Sequence, residues 1–192
     1  MRDHRVLITG AGGPAAVGVI RALAGTGARL YAADIDPYAQ GLYAVPADRR
    51  LIVPRGDAPE FAETLGALAR HHGIDLLVPT VESELLPLVE IADDLGAAGI
   101  SLLSARRPAL ETCLDKWATI EALAPASYLP RTEILDGGFD PASWQFPAFV
   151  KPRRASGSNG AATIPSAADL AGLPVDGSLM VQEMLPLSLI HI

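Results

Sequence analysis

The chain has 192 residues, 49% of them hydrophobic, which suffices for one ordinary domain and part of a second. With 15 Lys and Arg against 22 Asp and Glu, the formal charge is -7, and no basic run offsets it, which excludes a binder of nucleic-acid backbone. The one cysteine, Cys113, cannot form an internal disulfide, and the most apolar stretch, residues 6–23, is interrupted by Gly10, Gly12, Gly13, Pro14 and Arg21, so no membrane span is expected and the cytoplasm is the expected location.

In chain order, residues 5–9 read as a buried strand and residues 14–24 as a helix with Val17, Ile20 and Leu23 on one face. A glycine turn at residues 10–13 joins them. Strands follow at 29–33, ending on Asp34, and at 51–53. Asp57, Pro59 and Glu60 have the form of a helix N-cap, with Phe61, Leu65 and Leu68 as the apolar stripe and Gly73 as the stop. His71 and His72 then sit near the helix C-terminus, as charges that compensate its dipole. A strand at 75–78, one helix over 82–95 and a strand at 100–103 complete a β-α-β series, which implies a doubly wound, largely parallel α/β sheet.

The pattern changes at Arg106. Helical pieces at 108–114 and 115–123 precede a connection rich in Pro and Gly, followed by strands at 147–150, 162–164 and 178–183. These short strands imply a second, antiparallel-leaning α+β unit. The expected boundaries are 1–105 for the first domain and 106–187 for the second.

Two glycine loops offer chemistry. Gly10, Gly12 and Ala15 fit G-x-G-x-x-G/A between a strand and a helix, with Asp34 ending the next strand, as in a dinucleotide site. Any tight strand-to-helix turn also wants glycine, and Pro14 removes one donor from the helix start. The second loop is Ser156, Gly157, Ser158, Asn159 and Gly160, following the apolar strand that ends on Lys151. Small residues there let backbone N–H groups face anionic oxygens; alternatively the loop is an exposed hairpin connection. Lys116 and Lys151 are the only lysines among the 15 cationic side chains, and a compact ammonium suits a nucleotide phosphate. Gln182, Glu183, Met184 and Leu185 end a strand before Pro186, where an edge can offer backbone groups and an apolar face to an adenine ring. Glu82 and Glu84 follow a strand's carboxyl end, where such sheets place ligands, although carboxylates in a helix's first turn also serve its dipole.

The order of these pieces resembles the ATP-grasp superfamily, most closely its carbamoyl-phosphate-synthase large-subunit-like branch. The resemblance rests on residues 6–13, 34–37, 78–80, 113–116, 149–152, 156–160 and 181–183. It implies a Rossmann-like pre-ATP-grasp domain with a parallel sheet, then a partial ATP-grasp domain. It makes Lys116 and Lys151 phosphate contacts, residues 156–160 a mobile phosphate loop, and Gln182, Glu183, Met184 and Leu185 the adenine hinge. Gly12, Gly13, Glu82 and Glu84 are candidate substrate contacts. The implied cofactors are ATP and Mg²⁺, the other partner is a carboxylate-bearing small molecule, and the full-length parent is expected to be a homodimer.

The family continues past the hinge with the Glu and Asn ligands for Mg²⁺. Here residues 187–192 read Leu-Ser-Leu-Ile-His-Ile, which resembles translated sequencing adapter, so residues 188–192 are expected to be a non-native tail. The chain is accordingly expected to be an ATP-dependent ligase's front end, without metal ligands and inactive alone. Two other readings stay open: an NAD(P)-binding oxidoreductase built on Gly10 and Asp34, and a non-catalytic nucleotide-binding domain.

Overall fold

In the computed structural model of the chain, residues 4–185 are described; the expected tail at 188–192 lies outside them. The chain divides into two compact units, Met1–Leu110 and Glu111–Ile192.

In the first unit, β1 (Arg5–Ile8), β2 (Arg29–Asp34), β3 (Arg50–Ile52), β4 (Leu76–Val78) and β5 (Ser101–Leu102) form one sheet in the order β3-β2-β1-β4-β5. Every pairing in it is parallel. A parallel sheet is covered on both faces, and alternation along each strand sorts the side chains. Leu7, Tyr31, Ala33 and Leu77 pack with Phe61 and Leu65 of α2 (Phe61–His71), Leu88 of α3 (Glu82–Glu90) and Leu95 of α4 (Ala92–Ala97). Val6, Ile8, Ala32 and Val78 pack with Ala16 and Ile20 of α1 (Pro14–Leu23). Each fully buried side chain such as Phe61 or Leu65 contributes about 2 kcal/mol. The strand order reverses between β1 and β4, and the crevice beyond their carboxyl ends is where such sheets hold ligands.

Two local expectations are corrected. The single helix over 82–95 is two: α3 runs through Pro87 to Glu90, and Ile91, with φ of -102° and ψ of 12°, leaves the helical conformation before α4 starts at Ala92. Asp57 does not cap α2, which starts at Phe61 after Glu60; its carboxylate instead pairs with Arg55.

The helix α5 (Arg107–Leu114) spans the division between the units; in the second unit α6 (Lys116–Leu123) precedes an antiparallel sheet of β6 (Thr132–Leu135), β7 (Ala148–Pro152), β8 (Ala162–Ile164) and β9 (Leu179–Glu183), ordered β6-β9-β7-β8. One face, carrying Leu135, Val150, Ile164 and Val181, packs on Trp144 and Leu170. β6 lies inside the stretch expected to be a mere connection, and its presence changes β9. That strand pairs with β6 on one side and β7 on the other, so it is central rather than the expected edge. The fold is thus α/β with a Rossmann-like parallel sheet, followed by an α+β unit.

Candidate functional site

Lys116 is the first residue of α6 because Asp115 caps the helix. The Asp115 Oδ1 accepts from Trp117 N at 3.0 Å and Ala118 N at 3.4 Å. The expected helix over 115–123 thus begins one residue later. Asp115 also takes a two-pronged contact from Arg153, with Nε at 3.1 Å and Nη2 at 2.7 Å, and Arg154 Nε stands at 3.5 Å. Burial by itself would raise the Asp115 carboxyl; the Arg153 guanidinium and the two amides outweigh it and hold the acid below its ordinary range. Arg153 in turn accepts from Lys116: its carbonyl takes the Lys116 backbone N–H at 3.0 Å. The Lys116 ammonium donates to Ala155 O at 2.5 Å and to Arg153 O at 3.4 Å. This lysine therefore sits at the root of the second glycine loop.

Lys151 stands in β7 on the sheet face opposite the Trp144 core, since alternation turns its neighbour Val150 inward. Its Nζ donates to Gln182 Oε1 at 2.9 Å. The Gln182 amide is fixed by Thr132, whose Oγ1 accepts from Nε2 at 2.8 Å and donates to Pro130 O at 3.0 Å. The Lys151 ammonium lies below its ordinary value, first because it is half-buried and then because Lys116 adds like charge.

Residues 156–160 are exposed and connect β7 to β8 as a hairpin. Gly157 and Ser158 both have φ of 61°, and Gly160 has φ of 70°. Ser158 has the one positive φ outside glycine among the described residues, a conformation that costs about 1 kcal/mol or more. Glycine is required at 160, where a Cβ would lie 2.8 Å from Pro152 Cγ. Gln182 and Glu183 keep their backbone in the ladder, and Glu183 exchanges bonds with Arg131 through both N and Oε1 at 2.9 Å. Only Met184 and Leu185, 43% and 58% exposed, leave the strand. Sequence reasoning passed over Asp115, Arg153 and Thr132; the polar residue just before the 116–123 run was the available signal for the first.

In the first unit, Gly12, Gly13 and Glu84 line one cavity of about 590 Å³ at the strand reversal, together with Asp34, Ile35 and Val81. Glu82 opens α3 on the exposed surface and is not among the lining residues. The amides of Gly12 and Gly13 are already engaged there. Gly12 N donates to Asp34 Oδ2 at 2.7 Å, Gly13 N donates to Gly10 O at 2.9 Å, and residue 14 is proline. The features that a dinucleotide pyrophosphate and ribose need are engaged with each other. Glu84 is 5% exposed and accepts a short hydrogen bond from the Thr9 hydroxyl. Burial above all, with a smaller contribution from Asp34, pushes its carboxyl up to about 6.

That shift has a stability consequence. As pH rises from 4.5 towards 6 the unfolded chain loses its Glu84 proton before the folded one, so stability falls across this window and stays lower above it. Glu84→Gln keeps an acceptor for Thr9 and removes the buried charge; it is expected to stabilise the chain at neutral pH by about 2 kcal/mol and to flatten urea stability between pH 4.5 and 6. An unchanged pH profile would count against an ionised, buried Glu84.

The fold is that of a Rossmann-like, pre-ATP-grasp parallel sheet followed by an antiparallel α+β unit. Residues 6–103 match the family described as PylC-like, N-terminal domain, and the chain belongs to that family. A search of curated proteins returned no match. Solved structures give the same fold. N5-carboxyaminoimidazole ribonucleotide synthetase from Thermus thermophilus is similar at 22% identity and a TM-score of 0.64, over 94% of this chain and 47% of that one. L-amino acid ligase from Bacillus licheniformis is similar at 15% identity and a TM-score of 0.67, over 96% and 45%. The biotin carboxylase domain of Hydrogenobacter thermophilus 2-oxoglutarate carboxylase, determined with MgADP, ADP and bicarbonate, is similar at 18% identity and a TM-score of 0.63, over 95% and 44%. The chain thus spans about half the length of the structures it matches. The expected ATP-grasp resemblance holds at the level of family and fold, and nothing in these matches favours an oxidoreductase.

Proposed function

We propose that the chain is the ATP-handling front end of a carboxylate-amine ligase of the carbamoyl-phosphate-synthase-like kind, working in the cytoplasm as part of a homodimeric parent. The observation that carries this is the position of the two lysines about the second glycine loop. Lys116 bonds Ala155 O at the root of the 156–160 loop, and Lys151 stands in the strand that leads into it, so a polyanion under that loop would meet two ammonium groups. In this reading the γ-phosphoryl group of ATP passes to a substrate carboxylate, and a nucleophile then displaces phosphate from the acylphosphate. Lys116 and Lys151 neutralise the phosphate charge, and residues 156–160 fold over it. The adenine contact falls on Met184 and Leu185, beyond the ladder, with Gln182 and Glu183 positioning them.

ATP-grasp chemistry uses Mg²⁺. Among the described residues no group of three or more His, Cys, Asp or Glu side chains is placed to hold an ion, so no step is routed through the metal here. Among the same residues no helix is long and apolar enough to cross a membrane.

Amide NMR of the chain titrated with MgATP tests the site. Weak, millimolar binding is expected, with shifts at Lys116, Lys151, the 156–160 loop, Met184 and Leu185. Shifts produced by NAD at Gly10 and Gly12, with none from ATP at the lysines, would overturn the proposal in favour of the dinucleotide reading.

A further inference from the structure

Asn159 is the only asparagine in the chain, and it stands directly before Gly160 in the exposed hairpin connection between β7 and β8. Two successive turns frame that bond: Asn159 N donates to Ser156 O at 3.2 Å, and Ala161 N donates to Ser158 O at 3.1 Å. The N–H between them, that of Gly160, and the Asn159 carboxamide take part in no hydrogen bond among the described residues. Residue 160 is also confined to glycine, since its φ is 70° and a Cβ there would lie 2.8 Å from Pro152 Cγ and 3.3 Å from Pro152 Cδ. No side chain therefore shields the Gly160 nitrogen from the neighbouring carboxamide. The two Asp–Gly sequences of the same unit are arranged differently. Gly177 N donates to Leu135 O at 3.1 Å while Asp176 Oδ1 accepts from Ser178 N at 2.9 Å, and Asp136 Oδ1 accepts from Gly138 N at 2.8 Å. In these the side chain is tied back to the main chain.

We propose that Asn159 is a self-modifying site, converting spontaneously to aspartate and isoaspartate, and that the conversion switches off polyanion binding at the two lysines. The second part rests on the phosphate-loop reading of residues 156–160; the first does not. In the reaction the Gly160 nitrogen attacks Asn159 Cγ. The new C–N bond closes a five-membered imide, the bond from Cγ to Nδ2 breaks, and ammonia leaves with the Gly160 amide proton. Water then opens the ring at either carbonyl, giving aspartate or an isoaspartate whose main chain runs through Cβ and Cγ. No electron is gained or lost, and the loop acquires one negative charge. Isoaspartate also lengthens the backbone by one methylene, in a turn whose φ is positive at 157, 158 and 160. A carboxylate there repels the phosphates that the loop would cover, in place of an amide that can donate to them.

Peptide mass mapping of the full chain, held in warm, mildly alkaline buffer with and without urea, tests the site. The native chain is expected to convert residue 159 to two separable products of acid mass, aspartate and isoaspartate, at a rate within a few-fold of that in urea, because the reacting groups are unbonded in both states. Asn159→Gln is expected to remain unconverted. Conversion confined to the unfolded chain would overturn the proposal, since the fold would then shield the bond. MgATP titrations read at the Lys151 amide compare the fresh native chain, the converted chain and Asn159→Asp. The last two are expected to bind about tenfold more weakly than the first, and the difference to shrink in high salt. Equal affinity in all three would overturn the switch. Absence of MgATP binding to the fresh chain would remove the nucleotide reading and the switch with it, while the mass map alone decides the conversion.

Discussion

Asp115→Ala is expected to destabilise the second unit by about 3 kcal/mol, the larger part from leaving Arg153 without its buried counter-charge and about 1 kcal/mol from the lost helix cap. The loss falls short of that for a fully buried pair because the Arg153 side chain is 31% exposed, while that of Asp115 is 6% exposed. Urea unfolding followed by tryptophan fluorescence isolates the effect, since both tryptophans, Trp117 and Trp144, belong to this unit. Asp115→Asn keeps a capping oxygen and loses the charge, so it should fall between the two. A change below about 1 kcal/mol for the alanine variant would mean that the Arg153 contact contributes nothing beyond the cap.

Lys151→Met behaves in the opposite way. In the ligand-free chain it removes a half-buried charge that Lys116 repels, so stability should change by less than about 0.5 kcal/mol. If the proposed function holds, ATP-dependent phosphate release by the full-length parent should fall by about 10²-fold or more, because a cation is lost from the position where phosphate charge would develop. Lys151→Arg should not restore it, since a planar fork cannot take the place of a compact ammonium bonded to Gln182 Oε1. Phosphate release within a few-fold of the native rate would remove Lys151 from the site. Splitting stability from turnover in this way separates a phosphate contact from a residue that merely holds β7 to β9.

The parallel half of the fold was legible because buried strands such as residues 5–8 and 76–78 are short apolar runs between helices with clear stripes. The break between α3 and α4 was not legible, since it falls at Ile91, an apolar residue inside an apolar helix pattern. β6 was hidden: Thr132, Glu133, Ile134 and Leu135 sit between Pro130 and Gly137 in a stretch whose composition reads as a loop. Missing that strand made β9 look like an edge and moved the expected adenine contact onto a backbone already bonded on both sides. For the site, residue type pointed to Lys116 and Lys151 because lysine is rare here. It could not show that Thr132 orients Gln182, or that Arg153 bridges Asp115 and Lys116, as these partners meet only through sheet pairing. Glu84 could not be distinguished from a dipole-serving helix residue until its burial was known.

The Lys116 ammonium at rest is a latch on the hairpin, holding the carbonyls of Arg153 and Ala155 at the hairpin's root. A triphosphate that draws this ammonium away must release those carbonyls, so capture of the nucleotide and loosening of the hairpin become one event. On the proposed nucleotide reading, the loop would gain its freedom to fold when there is something for it to cover.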